Sequence, residues 1–396
     1  MTVSRGDVSR RLIIRRFFHP KVPMLRTVAT LFLVSCLCLA HAQTPPPVIG
    51  KAYVVADVSS GQILASDRAD ERFEPASLTK LMTAYLVFQA LRDKKLTLDR
   101  VLPVSEKAWR AGGSRMFIDP KHPVTVDELI RGMIIQSGND ACIALAEAIG
   151  GSEDVFAQMM NREAQRLGMK NSNFVNSNGL PDAQHYSSAR DMYLLGAALI
   201  RDFPAEYATY YTIKEYRYNN ITQMNRNRLL WLDPTVDGMK TGFTEAAGYC
   251  LVASSKRGPR RLISVLLGST SESTRAQESQ KLLNWGFQFF DAVKLYDKGQ
   301  AVKAIEVWKG TAAEVKAGFP ADMYITVPKG QAEKLKADLL AQQPLVAPVS
   351  QGQKIGLMRV TLDGKPVGEY PVIALESVGV AGLFGRAWDT LRLWIK

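Results

Sequence analysis

Ser77-Leu78-Thr79-Lys80-Leu81-Met82-Thr83-Ala84-Tyr85-Leu86-Val87-Phe88 is apolar on nearly every face except at its start. A helix that is apolar all round is a buried one. Residues 77 to about 92 therefore predict a central helix within a large core. The polar start is the exception. Residues three apart on a helix share a face, so Ser77 and Lys80 are expected neighbours. A helix N-terminus adds free N–H groups and a positive dipole end, which favour negative charge developing on Ser77. Serine attacks only when a base takes its proton. Lysine can be that base if its pKa falls from about 10.4 toward neutrality. Burial and a second cation both push it down, and Lys240 is the expected second cation.

Upstream of this helix, Tyr53–Val58 and Gln62–Ala65 read as two strands joined by Ser59-Ser60-Gly61. Downstream, Val126–Ile149 holds two helical stretches broken near Gln136–Asn139. Phe156–Leu167 and Ser188–Ile200 are further helices, separated by a loop, Asn171–His185, rich in Asn, Gly, Pro and Asp. Thr235–Thr244, Tyr249–Ser254 and Arg261–Gly268 read as successive antiparallel strands, and Gln277–Phe290 as a closing helix. Beyond Tyr296 the pattern turns β-rich: Ala301–Trp308, Met323–Val327, Lys354–Leu362 and Lys365–Val372, with an Asp363-Gly364 turn. At 396 residues the chain is long enough for two domains.

Three short motifs stand in order: Ser77-Leu78-Thr79-Lys80, Ser137-Gly138-Asn139 and Lys240-Thr241-Gly242. Each is common alone; the set, each on its expected element, resembles the serine penicillin-binding proteins, specifically the low-molecular-mass D-alanyl-D-alanine carboxypeptidases. Ser137–Cys142 and Asn284-Trp285-Gly286-Phe287 carry the same resemblance, which runs from about Lys51 to the C-terminus. It implies an α+β penicillin-binding/β-lactamase-like domain. An antiparallel sheet would have helices on both sides and a helical subdomain beside it. A small β-rich domain and a terminal amphipathic helix would follow. The expected divisions are 1–42 signal peptide, 43–296 catalytic domain, 297–376 β-rich stalk and 377–396 membrane-anchoring helix.

The resemblance also implies roles. Ser77 would be the nucleophile and Lys80 the general base. Ser137 would relay protons, and Asn139 and Lys240 would bind the substrate. The backbone N–H groups of Ser77 and Phe243 would form the oxyanion hole; relatives with histidine at the latter position use the same backbone donor. Gly242 would permit close approach of a substrate strand. Arg275, with Thr241, would hold the free carboxylate that a carboxypeptidase must recognise, since bidentate arginine suits it. Expected partners are peptidoglycan stem peptides and β-lactams, with no cofactor, metal or nucleic acid.

Residues 1–42 carry seven basic side chains and one acid; removing that net +6 from the chain's +12 leaves +6 for the remainder. No long basic run persists there, which argues against nucleic acid and suits an anionic wall or membrane. The basic stretch to Arg26, the apolar run Val28–Ala40 and Ala40-His41-Ala42 read as a secretory signal cleaved before Gln43. Met24 is an alternative start, and Leu33–Cys36 loosely resembles a lipoprotein box. Cys142 and Cys250, in apolar segments, read as buried thiols. After the leader only His122 and His185 remain, both read as surface or loop residues outside any motif. That disfavours a Ser–His–Asp triad and a zinc peptidase.

At the C-terminus, Val380, Phe384, Trp388, Leu391 and Ile395 recur at helical spacing, with Arg386, Asp389, Arg392 and Lys396 mostly off the stripe. With Trp394, this reads as a basic amphipathic helix lying in a membrane interface. The enzyme is then expected at the periplasmic face of the inner membrane. Three alternatives share the motifs: a class A β-lactamase, a D,D-endopeptidase and a non-catalytic wall-binding scaffold. The first needs a glutamate that positions a deacylating water. The only E-x-x-x-N pattern, Glu215–Asn219, lies too close to Lys240 to match.

Overall fold

The computed structural model describes residues 44–395; the leader expected at 1–42 lies outside them. After β1 (Ala52–Asp57) and β2 (Ile63–Asp67) the chain leaves the sheet for a helical cluster. The cluster contains α1 (Lys80–Arg92), the short ladder β3 (Val101–Leu102) with β4 (Val124–Thr125), α2 (Val126–Arg131), α3 (Asn139–Gly150), α4 (Glu153–Arg166) and α5 (Ala189–Asp202). A hairpin, β5 (Glu215–Tyr218) and β6 (Ile221–Met224), precedes the return to the sheet as β7 (Val236–Thr244), β8 (Gly248–Arg257) and β9 (Arg260–Ser269). The sheet is antiparallel, in the order β2-β1-β9-β8-β7, so β7 is an edge. Helix α5 packs on one face and α6 (Glu272–Phe289) on the other. Every residue from Lys80 to Phe88 is buried, as an all-apolar helix requires.

Helices α3 and α2 are joined by one π-helical turn, Gly132–Gln136, which ends at Ser137 in a left-handed conformation (φ 68°). The expected helix break is therefore a tight reversal rather than a flexible gap.

A second core follows. It is built on strands outside the first sheet: β10 (Phe290–Tyr296), β11 (Ala301–Trp308), β12 (Glu314–Gly318), β13 (Met323–Pro328), β14 (Leu335–Ala341), β15 (Leu345–Val346), β16 (Lys354–Leu362) and β17 (Lys365–Ala374). Two sheets form it, β10-β13 and β14-β16-β17-β12-β11-β15. Its pairing starts at Phe290, where a closing helix was expected to end, and bridges at Val378 and Val380 carry it past 376. Phe290 is extended (φ −130°, ψ 150°) because its strand is claimed by β13. Strand β14 was also not anticipated. Its Leu-Lys-Ala-Asp-Leu-Leu-Ala composition suits a helix; pairing with β16 overrides that preference. The β1–β2 turn docks on β13: Gln62 bonds both the N–H (2.6 Å) and C=O (3.1 Å) of Thr326.

The terminal helix, α7, spans Leu383–Ile395. Phe384 (94%) and Trp394 (90%) are almost fully exposed, and Leu383, Trp388 and Leu391 are exposed too. The side chains of Ile395 and Lys396, part of the expected pattern, lie outside the described residues. Asp389 accepts a bond from the Lys309 N–H (2.6 Å), and Arg392 lies over the Trp308 ring, which tethers the helix to β11. No described helix is long and apolar enough to cross a membrane.

One buried ion pair ties three strands. Arg260, at the start of β9, meets the fully buried Asp57 of β1 at 2.7 Å and also donates to the Phe290 carbonyl. Arg260→Ala would strand a buried carboxylate. It is expected to cost about 3–5 kcal/mol, read as a lower urea midpoint in equilibrium unfolding.

Candidate active site

Ser77 does not sit on the α-helix itself. It lies on a 3₁₀ turn, Ala76–Thr79, that precedes α1. Pro75 leads into the turn, and Ala76 takes a left-handed conformation (φ 47°) that a residue with a Cβ adopts at a cost. Two glycines permit the surroundings to close on this turn. A Cβ on Gly179 would lie 1.8 Å from the Ala76 carbonyl oxygen, at φ 84°. A Cβ on Gly242 would lie 3.2 Å from the Ser77 nitrogen. Gly242, expected to admit a substrate strand, lines the cleft and also lets β7 lie close to the nucleophile turn.

Lys80 is buried beneath Ser77. Its Nζ lies 2.9 Å from Ser77 Oγ, 2.7 Å from Asn139 Oδ1 and 2.6 Å from the Asn178 carbonyl oxygen. Burial lowers its pKa to about 8; nearby Asp140 opposes the shift and Arg226 assists it. Arg226 was not singled out by the sequence, which offered Lys240 as the neighbouring cation. Lys240 is itself held well below the lysine range, by burial first and then by the Lys80 and Arg226 charges. Its Nζ donates to the Thr241 carbonyl (3.0 Å).

Ser137 and Asn139 come from the reversal between α2 and α3. Asn139 Nδ2 donates to the Gly112 carbonyl (2.7 Å), which orients its Oδ1 toward Lys80. Ser137 Oγ is buried and has no hydrogen-bond partner. Leaving a buried hydroxyl unpaired is costly, so the position is held by its surroundings. Asp140 supplies part of that hold. Its carboxylate accepts from the N–H groups of Met116 (3.0 Å), Phe117 (2.8 Å) and Ile118 (3.2 Å), fixing the 114–118 loop against α3.

The loop expected at 171–185 is stitched to α1. Glu153 Oε1 accepts from the Ser177 N–H (3.0 Å) and hydroxyl (2.6 Å), and its Oε2 pairs with Lys107 (2.8 Å). Thr83 donates to the Ser177 carbonyl. His185, read as a surface or loop residue, lies in a loop but is buried. The Val175 N–H donates to its Nδ1 (3.2 Å), so Nε2 carries the proton and donates to Thr79 Oγ1 (2.8 Å). Burial pushes its pKa down to about 4, which keeps that tautomer neutral. His122 is exposed, and Cys142 and Cys250 are free buried thiols.

These parts face one cleft of about 500 Å³. Ser77, Ser137 and Asn139 line it, opposite Thr241, Gly242 and Phe243 of the edge strand β7. Arg226 and the buried Arg275 line it too, with Glu272 4.0 Å from Arg275. Phe243 is exposed and packs on Tyr249, ring centroids 4.5 Å apart. Lys80 and Lys240 lie beneath the lining. Glu215 is exposed on β5 and does not line the cleft; Glu272 is the only carboxylate that does, among the described residues.

This cleft and fold are matched in known proteins. Residues 40–271 match the D-alanyl-D-alanine carboxypeptidase family, and residues 290–380 match the penicillin-binding protein 5, C-terminal domain, family. The D-alanyl-D-alanine carboxypeptidase DacC of Escherichia coli is 45% identical over 92% of this chain and 94% of its own length. Penicillin binding protein 5 from Haemophilus influenzae superposes with a TM-score of 0.80 at 43% identity, covering 85% of this chain and 99% of that one. Penicillin-Binding Protein D2 from Listeria monocytogenes, in its ampicillin-bound form, superposes at 0.57 with 31% identity over 62% of this chain and all (100%) of that one. The chain belongs to the D-alanyl-D-alanine carboxypeptidases, the low-molecular-mass penicillin-binding proteins with a serine peptidase domain and a β-rich C-terminal domain.

Proposed function

We propose that this carboxypeptidase removes the terminal D-alanine of peptidoglycan pentapeptide stems through an acyl-enzyme on Ser77. The observation that carries the reading is the Lys80 amine, 2.9 Å from Ser77 Oγ in a pocket that lowers its pKa to about 8. A neutral amine has two N–H donors and one lone pair. Asn139 Oδ1 and the Asn178 carbonyl take the two donors, which leaves the lone pair for the Ser77 hydroxyl proton. Ser77 Oγ then attacks the carbonyl carbon of the penultimate D-alanine. The N–H groups of Ser77 and Phe243 receive the oxyanion. Lys80, now an ammonium, returns its proton through Ser137 to the leaving amine, and the bond to the terminal D-alanine breaks. Water then splits the ester. Asn139, Lys240 and Gly242 hold the peptide, and Arg275 with Thr241 holds the free carboxylate. A β-lactam, like the ampicillin bound by the Listeria relative, would acylate the same oxygen.

Mass spectrometry of pentapeptide incubated with the protein tests this. Loss of one terminal D-alanine, abolished in Ser77→Ala along with fluorescent-penicillin labelling, is the expected result. Splitting of a cross-linked dimer without loss from the pentapeptide would favour the endopeptidase. Labelling that persists in Ser77→Ala would remove Ser77 from the role.

Only the neutral form of Lys80 can take the proton, so acylation should weaken as pH falls through its pKa. Below about 8 the penicillin acylation rate is expected to drop by about tenfold per pH unit. A rate independent of pH there would argue for a different base.

The exposed Phe384, Trp388 and Trp394 support a place for α7 in a membrane interface, and the leader supports export. The enzyme would then stand on the periplasmic face of the inner membrane, with the β-rich domain as its stalk. Removing residues 382–396, beyond the Val378 and Val380 bridges, should move the mature protein from the membrane to the soluble fraction. Continued sedimentation with membranes would contradict the anchor.

A further inference from the structure

The cleft holds more positive charge than one terminal carboxylate uses. Arg226 and Arg275 line it, and a third guanidinium, Arg115, lines it from the loop pinned to α3. Glu272 is the only carboxylate in the lining among the described residues, and it is drawn toward Arg275. Arg115 has no ion pair with any described carboxylate.

Arg115 is also held unlike a solvated surface arginine. It is half-buried, and its guanidinium lies 5.1 Å from the centroid of the Phe117 ring. Its backbone is fastened on every side. The Asn139 N–H donates to the Ser114 carbonyl (2.7 Å) and Gln223 Nε2 to the Arg115 carbonyl (3.1 Å). The next three N–H groups all end on Asp140. Phe117 takes a left-handed conformation (φ 70°), which an aromatic residue rarely does. Strain of this kind persists only where the surroundings impose it, and it clusters at binding sites. A guanidinium set over an aromatic ring, carried on a fastened backbone and without a counter-charge, is placed to receive a planar anion.

The geometry points to Arg115 as a second anion subsite, one that takes a free side-chain carboxylate on the acyl-donor part of the stem peptide. This rests on the proposed reaction. With the terminal carboxylate on Arg275, the acyl-donor part of the stem lies toward the Ser137–Asn139 wall, to which the Arg115 loop is bonded. The enzyme would then favour stems whose diamino-acid residue carries a carboxylate beside its side-chain amine.

Two pentapeptides that differ only in that carboxylate test the assignment, with release of the terminal D-alanine as the readout. The wild type should show a kcat/KM about tenfold higher for the carboxylate-bearing peptide, the effect of about one charge-assisted contact. Arg115→Leu should bring the ratio to about one. Arg115→Lys, which keeps the charge but loses the planar fork, should retain part of it. Equal kcat/KM values in the wild type, or a preference that survives Arg115→Leu, would overturn the subsite. Release of D-alanine from either peptide would leave the carboxypeptidase reading standing in both cases.

Discussion

The arrangement around Ser77 depends on one buried amine. Three groups, a hydroxyl, an amide oxygen and a backbone carbonyl, lie at 2.9, 2.7 and 2.6 Å from the buried Lys80 Nζ. Burial disfavours the ammonium, and this is the main cause that brings the pKa to about 8. Asn139 Oδ1 and the Asn178 carbonyl accept in either protonation state, while the Ser77 hydroxyl accepts from the ammonium and donates to the neutral amine, which suits a group that must take a proton and give it back. Placing an amine there requires a helix buried on all sides, and α1 is accordingly enclosed within the helical cluster by α3, α4 and α5.

The acceptors come from segments far apart in the chain, so much of the fold is devoted to holding them. Asn139 is set by the left-handed Ser137 and by Asp140, and Asn178 by Glu153 on one side and His185 with Thr79 on the other. Gly179 and Gly242 admit the close packing that brings loop and strand onto the nucleophile turn. A carboxylate and a neutral histidine, both buried and neither touching Ser77, thus act on the site by holding the N–H groups of Ser177 and Val175 in the loop that presents the Asn178 carbonyl. Ser137 Oγ is the one buried side-chain polar atom of the motif residues left without a partner.

The second core is a separate solution to burial. Its strands alternate buried and exposed positions, and the domain meets the first through the β1–β2 turn and the shared run from α6 into β10. The terminal helix beyond it keeps large aromatic side chains in solvent, a pattern that costs free energy unless another surface covers them.

Much of this was legible in the residues. The all-apolar run after Lys80, the three motifs in order and the tryptophan-bearing stripe at the end are periodic or contiguous features, carried within single elements. They sufficed for the fold class, the family and a short set of candidate site residues. Several features could not be read that way. Ser77 lies on a 3₁₀ turn, His185 is buried, Arg226 is the cation acting on Lys80, and Asn178 meets Lys80 through its backbone. Strand β14 forms against its composition, and the strand pairing of the second domain begins at Phe290. Each of these depends on which distant segment lies alongside. Local sequence determines periodicity and turn chemistry, whereas backbone carbonyls, like-charge neighbours and strand partners are set only when loops close in three dimensions.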